Sequence, residues 1–167
     1  AAAELLQLAE RLQIPVAASA SGLGALPVDH PLSLGLVQRG GTYQANHACR
    51  QADVLLALGV RFDDRTSSSW IPGYSFTIPP TRLIHVDIDP EEIGRNYPVA
   101  LGLMADVRTF LRQILTELDH RGHDRAPTKK RGKWLDAIEG YRREWDAFVA
   151  PGMIDDSTPI NPQRAAV

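Results

Sequence analysis

Short apolar runs alternate with amphipathic stretches along this chain, which predicts alternating strands and helices. Over residues 2–12 and again over residues 107–118, apolar side chains recur every three or four positions, as on one face of a helix. The predicted strands are the apolar runs at residues 14–19, 53–58, 83–88 and 99–104. Because these runs are apolar at consecutive positions, the strands are expected to have helices on both faces. The pattern therefore predicts an α/β fold, a parallel-sheet three-layer sandwich.

Polar and turn-forming residues indicate where further elements begin and end. Thr42 is expected to cap a helix over residues 43–51, and Asp106 is expected to cap the helix that follows the last strand. The run Asp89-Pro90-Glu91-Glu92 has a capping residue, a proline and a glutamate in the order typical of a helix start. Residues 61–81 are polar and broken by prolines, so a long ordered loop is expected there.

The chain is expected to consist of one main domain, residues 1–120, and a short carboxyl-terminal part. Residues 121–133 carry six basic side chains against one acid, which is typical of a solvated linker. Residues 134–150 have apolar side chains at helical spacing and predict a peripheral helix. Residues 151–167 then predict a linker.

The order of elements at the front is unusual for this kind of sheet. The chain opens on a helix, whereas such sheets usually begin with a strand and a glycine-rich turn, and no Gly-x-Gly-x-x-Gly motif precedes the helix. We therefore expect the domain to lack its first strand and to be a fragment of a longer protein.

Composition excludes several classes of protein. The chain has 167 residues and a net charge of −2, so nothing in its charge suggests nucleic acid or an anionic membrane as a partner. Cys49 is the single cysteine, so an internal disulfide or a cysteine-built zinc site cannot form. No apolar run has the length of a transmembrane helix. A cytoplasmic protein is expected.

Candidate ligand-binding residues lie where the predicted strands end, because open parallel sheets bind ligands at the carboxyl edge. Gly59 would allow a ligand close to the backbone, the Arg61 guanidinium suits a phosphate, and Asp87 suits a ribose hydroxyl. Each has a structural alternative. Asp89 and Asp106 can be helix caps, and Arg61 can pair with Asp63, with Asp64 or with a neighbouring domain.

No catalytic constellation is apparent. The five histidines have no metal-binding spacing, and His85, inside a predicted strand, is expected to be a hydrogen-bonded core residue. Cys49 lies on the apolar face of a predicted helix and is expected to be inert packing.

Five motifs in order resemble the central domain of thiamine-diphosphate-dependent enzymes, and acetolactate synthase and its relatives in particular. The most specific are Ala52-Asp-Val-Leu-Leu-Ala-Leu-Gly-Val-Arg-Phe-Asp-Asp-Arg65 and Ile84-His-Val-Asp-Ile-Asp-Pro-Glu-Glu-Ile-Gly94. The likeness extends over residues 4–118, and Pro159-Ile-Asn-Pro-Gln-Arg164 is similar to the entry into the family's cofactor-diphosphate domain. The resemblance implies a Rossmann-like nucleotide-binding domain between two catalytic domains, in a homo-oligomeric enzyme that joins or cleaves carbon–carbon bonds of 2-oxo acids.

The resemblance also implies cofactors. Thiamine diphosphate and Mg²⁺ serve the whole enzyme. In the family, the catalytic glutamate belongs to the pyrimidine-binding domain and the magnesium-binding Gly-Asp-Gly motif to the diphosphate-binding domain, and neither is in this sequence. FAD or ADP binds the central domain of some relatives. The matching positions here are Gly59, Val60, Arg61, Asp87, Ile88 and Asp106. The sequence departs from the family at residues 19–21 and at Gly40, which removes flavin contacts.

Two other functions remain open at this point. A free-standing NAD-binding enzyme of the deacetylase-like type has a similar fold, but it would need a histidine base and a glycine-rich entry turn. A structural interaction module without a ligand is the other alternative.

Overall fold

The computed structural model describes residues 1–122 and 129–165, which form helices around parallel strands. The helices are α1 (Ala2–Leu12), α2 (Tyr43–Gln51), α3 (Val107–His120), α4 (Lys129–Met153) and α5 (Pro162–Ala165). The strands are β1 (Val16–Ala18), β2 (Ser33–Leu36), β3 (Val54–Leu58), β4 (Arg82–Asp87) and β5 (Leu101–Met104). All pairings are parallel, which confirms the predicted α/β class. No helix in the described part of the chain is both long and apolar enough to cross a membrane.

Four of the five strands lie at the predicted apolar runs, and β2 was missed. Its four residues include Gly35, which has a φ of 79°, so the segment has neither the length nor the composition that marks a strand. The close approach of Thr42 shows why glycine stands there, since a Cβ on Gly35 would lie 2.7 Å from the Thr42 side chain. The Thr42 hydroxyl donates to the carbonyl of Leu34 at 2.5 Å and accepts no hydrogen bond from the amides at the start of α2, so the predicted cap is wrong although the helix itself is confirmed.

The predicted helix after β4 does not form. The Asp89 carboxylate accepts a hydrogen bond from the Glu91 amide at 2.9 Å, and successive turns follow as far as Gly94, which has a φ of 75°. Ile93 packs against Gly102 of β5, where an added Cβ would lie 2.5 Å from Ile93. Tertiary packing therefore overrides the local helix signal.

The last long helix begins at Lys129 and ends at Met153, so it is longer than the predicted residues 134–150. The end of the predicted basic linker is thus helical, and residues 123–128 of that linker lie outside the described residues. Residues 166 and 167 of the predicted tail also lie outside them. The helix is tied to β2 by Arg142, which donates to the carbonyl of Ser33 at 2.8 Å.

Two helical layers enclose the strands. On one face, α1 and α3 share a core with Val86 of β4. Glu4 at the start of α1 bonds Arg112 at 2.9 Å, and Arg11 at its end bonds Asp119 at 2.5 Å, so the two helices run in the same direction. On the other face, α2 and α4 pack on a second core that includes Leu83. The three-layer arrangement is confirmed.

The strands form two separate sheets and not one. Their orders are β1-β2 and β3-β4-β5, and a cleft of about 360 Å³ separates β1 from β3. The tail after Val149 does not line this cleft, and α5 packs back against α4.

Candidate functional site

The site predicted at the carboxyl edge centres on the loop that follows β3. Gly59 has a φ of 62° and is exposed, a conformation that favours glycine and turns the chain out of the strand. Val60 and Arg61 follow in non-regular structure. The loop therefore presents main chain and one cation at the edge.

Three side chains from elsewhere in the fold hold this loop in place. The buried His85 ring donates from Nε2 to the Val60 carbonyl at 2.9 Å. Asn96 Nδ2 donates to the Arg61 carbonyl at 3.0 Å, and Trp70 Nε1 donates to the Phe62 carbonyl at 3.0 Å. Consecutive carbonyls of the loop are thus fixed by side chains from three later parts of the chain.

Arg61 itself extends into solvent, with 74% of its side chain exposed. Its Nε lies 3.9 Å from Glu92 Oε1, and the alternative pairing with Asp63 or Asp64 does not form among the described residues. Asp63 instead accepts from the Thr66 amide at 2.8 Å, and this hydrogen bond lowers the pKa of Asp63. The Arg61 guanidinium has five N–H donors, and its distance to Glu92 exceeds that of a hydrogen bond. Arg61 therefore keeps donors for a further acceptor.

Glu92 was not predicted as a site residue. Its Oε1 also accepts from Arg95 at 3.0 Å, whereas its buried Oε2 has no hydrogen-bond partner within the described residues. Glu92 lies within the motif that ends at Gly94, but there it was interpreted as part of a helix start, and Asn96 lies outside every motif singled out in the sequence.

The two aspartates at the edge already accept main-chain hydrogen bonds. Asp87 is buried at the end of β4, and its Oδ1 accepts from the Asp89 amide at 2.9 Å. Asp106 accepts a hydrogen bond from the Thr109 amide at 2.8 Å and is the N-cap of α3, which confirms the predicted helix cap. The Thr109 amide is also the main reason that the pKa of Asp106 is lowered. Each carboxylate thus has a structural role, and either could contact a ligand only through its remaining acceptor positions.

Exposed apolar side chains lie beside these polar groups. Ile88 directly follows β4 and is 71% exposed, and Met104 at the end of β5 is 69% exposed. Met104 is paired in register with Asp87, so both lie at the same edge as Arg61. An exposed cation beside apolar side chains suits a ligand with an anionic group and a flat apolar ring.

The described residues form no metal centre at this edge. Across residues 1–122 and 129–165, no group of three metal-ligating side chains is close enough to hold an ion. The sequence has no Gly-Asp-Gly motif either, so the residues present do not fit the magnesium-bound diphosphate of thiamine diphosphate. His85 is a hydrogen-bonded core residue, as predicted, and not a base open to substrate.

The chain is similar to one known protein family and to individual members of it. The family described as thiamine pyrophosphate enzyme, central domain, matches residues 1–114. A probable acetolactate synthase large subunit of Methanocaldococcus jannaschii is 38% identical over 98% of this chain and 26% of that protein. The acetolactate synthase isozyme 3 large subunit of Escherichia coli is 37% identical over 83% of this chain and 23% of that protein.

A third relative supports the same grouping. The acetolactate synthase large subunit of Buchnera aphidicola is 44% identical over 67% of this chain and 19% of that protein. The chain thus spans about a quarter or less of the length of these relatives. The family match confirms the resemblance stated from the motifs and favours it over a deacetylase-like enzyme. The chain belongs to the central-domain family of thiamine pyrophosphate enzymes.

Proposed function

We propose that this chain is the nucleotide-binding and scaffolding domain of a thiamine-diphosphate-dependent carboligase or decarboxylase that acts on 2-oxo acids. The names and the extent of its relatives support the reaction class. Thiamine diphosphate, with Mg²⁺, supplies the carbanion chemistry in such an enzyme. Because the residues described here do not fit that cofactor, the contribution of this chain is to position the neighbouring domains and to bind a nucleotide.

The observation that carries the nucleotide proposal is the exposed Arg61 beside the left-handed Gly59. The turn at Gly59 leaves room for a ligand against the main chain, and the guanidinium can form a forked bond to a phosphate or stack on a ring. The three hydrogen bonds to the loop carbonyls hold this arrangement before a ligand binds. Such preorganisation lowers the entropic cost of binding.

The rest of the proposed contact follows β4 and β5. The free acceptor positions of Asp87 would take a ribose hydroxyl, the exposed Ile88 would lie against the base, and Asp106 would contact the ligand from the start of α3. ADP fits this set by its phosphate, ribose and flat base, and the ADP half of FAD presents the same groups. The shared chemistry is that of an adenine nucleotide.

The experiment is a calorimetric titration of the purified chain with ADP and with FAD. We expect binding, and we expect Arg61→Ala to weaken it about ten-fold or more, because losing a hydrogen bond to a charged group costs about 1.5–3 kcal/mol. Arg82→Ala is the matched control. Arg82 is also exposed but lies at the first residue of β4, at the opposite edge of the sheet, so its loss should leave affinity unchanged.

Equal weakening by both variants would indicate only a general charge effect and would contradict the assigned site. Binding of neither nucleotide, with folding verified by circular dichroism, would favour the second candidate, a scaffold without a ligand. That candidate has its own observation, since both edge aspartates already accept main-chain hydrogen bonds.

A further inference from the structure

We propose that the outer edge of β5 pairs with the same edge of a second copy of this chain, antiparallel and about a two-fold axis. The two β3-β4-β5 sheets then join into one continuous sheet. The outer edge is the side of residues 101–104 that faces away from β4. The inference does not depend on the proposed nucleotide contact, which lies at the carboxyl ends of the strands.

Main-chain groups of β5 face outward without a strand partner. Within the described residues, β5 is the last strand of its sheet and pairs with β4 alone. The Ala105 amide donates to the Asp87 carbonyl of β4 at 2.9 Å. Because the main-chain groups of successive residues alternate between the two sides of a strand, the amides and carbonyls of Gly102 and Met104 face away from β4. A further strand could bind to these groups.

The side chains along this edge are apolar and exposed. Leu101 is 49% exposed, and Met104 is 69% exposed. An edge strand is usually kept from pairing by a charged side chain, a proline or a bulge within the strand. Residues 97–105 contain no charged side chain, the proline at position 98 lies before the strand, and the register with β4 advances one residue at a time. The features that keep an edge strand single are therefore absent from β5.

The distribution of charge suits a second copy in particular. A two-fold axis brings each residue near its own counterpart, so a charged side chain at the axis would meet a like charge. Residues 97–105 bring no such pair together. Antiparallel pairing also places the exposed Asp106, just after β5, beside the start of the other β5, and the exposed Arg95 precedes that start. Opposite charges therefore meet at both ends of the contact.

The directions of the outward groups select the register. In an antiparallel pair, two opposite residues that both face the other strand exchange two hydrogen bonds. Gly102 of one copy opposite Met104 of the other meets this condition on each side of the axis, and it places Leu103 opposite its own counterpart. The Met104 side chain would lie over Gly102, which has no Cβ, and against Ile93, which packs on Gly102.

The test is sedimentation velocity of the purified chain over a range of concentrations. A contact of four residues a side is smaller than a stable interface, so we expect a weak dimer whose fraction rises with concentration. Met104→Lys should weaken dimerisation about ten-fold or more, because the two lysines would lie on either side of the axis and repel each other. Phe148→Lys is the matched control, since Phe148 is 71% exposed on α4 and away from β5.

A second measurement locates the contact on the unchanged chain. Amide hydrogen exchange should slow at Gly102 and Met104 as the protein concentration rises, and it should not change in β1 or β3. The Met104→Lys chain should lose this dependence on concentration at Gly102.

A chain that stays monomeric at every concentration would overturn the proposal. So would a dimer that Met104→Lys leaves unchanged, or equal weakening by Met104→Lys and Phe148→Lys. Slower exchange confined to β1 and β3 would also overturn it, because the second copy would then bind at another strand edge.

Discussion

His85 donates a hydrogen bond from Nε2 to the main-chain carbonyl of Val60 at 2.9 Å, and so joins the interior of β4 to the loop that presents Arg61. Its Nδ1 accepts from the Gly94 amide at 3.4 Å, and the ring is only 1% exposed. Since a carbonyl only accepts and an amide only donates, the two bonds fix the neutral tautomer with its proton on Nε2. One buried ring thus connects the loops after β3 and β4.

Replacing His85 by phenylalanine should destabilise the fold. His85→Phe keeps an aromatic ring against Phe62, at a present centroid distance of 5.5 Å, but leaves the Val60 carbonyl and the Gly94 amide without this partner. An unpaired buried polar group costs about 1–3 kcal/mol, so urea denaturation should show a loss of that size. His120→Phe, at an exposed position of α3, is the control and should stay within about 0.5 kcal/mol. Equal losses for both variants would contradict the role given to His85.

Asp106 should make the stability of α3 depend on pH. The Thr109 amide lowers the pKa of Asp106 in the folded state, so the stabilisation by its carboxylate is complete above the unfolded pKa, about 3.9, and is lost as the pH falls through the lower folded value. Asp106→Asn keeps an oxygen acceptor but no titrating group. The melting temperature of the native chain should therefore fall more steeply below about pH 4 than that of the variant.

The control for this prediction is Asp106→Ala, which removes the cap itself and should lower the melting temperature at neutral pH as well. Parallel pH profiles for the native chain and Asp106→Asn would show that the carboxylate contributes nothing through its charge.

Cys49 should be unreactive in the native chain. Burial raises the pKa of its thiol to about 12, and the residue is 6% exposed. Since the thiolate is the nucleophile, iodoacetamide at pH 8 should label it far more slowly than in urea. Ser157→Cys combined with Cys49→Ala gives a matched chain with one exposed thiol, which should label rapidly without urea. If iodoacetamide labels the native chain and the double variant at equal rates without urea, Cys49 is not inert packing.

The purified chain should not convert pyruvate, even with added thiamine diphosphate and Mg²⁺. The reason is the chemistry of its residues, since the sequence contains no Gly-Asp-Gly motif to hold the magnesium-bound diphosphate. A coupled assay for acetolactate and for released carbon dioxide checks this. Turnover above the rate of a heat-denatured sample, in a preparation free of longer enzyme, would contradict it.

Local patterns in the sequence determined the class of the fold. Each of the runs that became β1, β3, β4 and β5 is apolar at consecutive positions, and that pattern depends only on burial of both faces of a strand. The Asp106 cap was also predictable, because a cap involves residues three positions apart. The order of motifs was enough to identify the family.

Tertiary structure alone decided how the carboxyl edge is built. Among the partners of the loop after β3, His85, Asn96 and Glu92 are 25 or more residues away, and no pattern of spacing indicates them. The helix predicted from Asp89 does not form. Successive turns bring the chain back to β5 instead, where Ile93 packs on Gly102. A missing strand could be expected from the order of elements, but the place of the break between β1 and β3 and the helices that line it are decided by folding. Contacts distant in sequence carry no local signal, whereas burial and capping do.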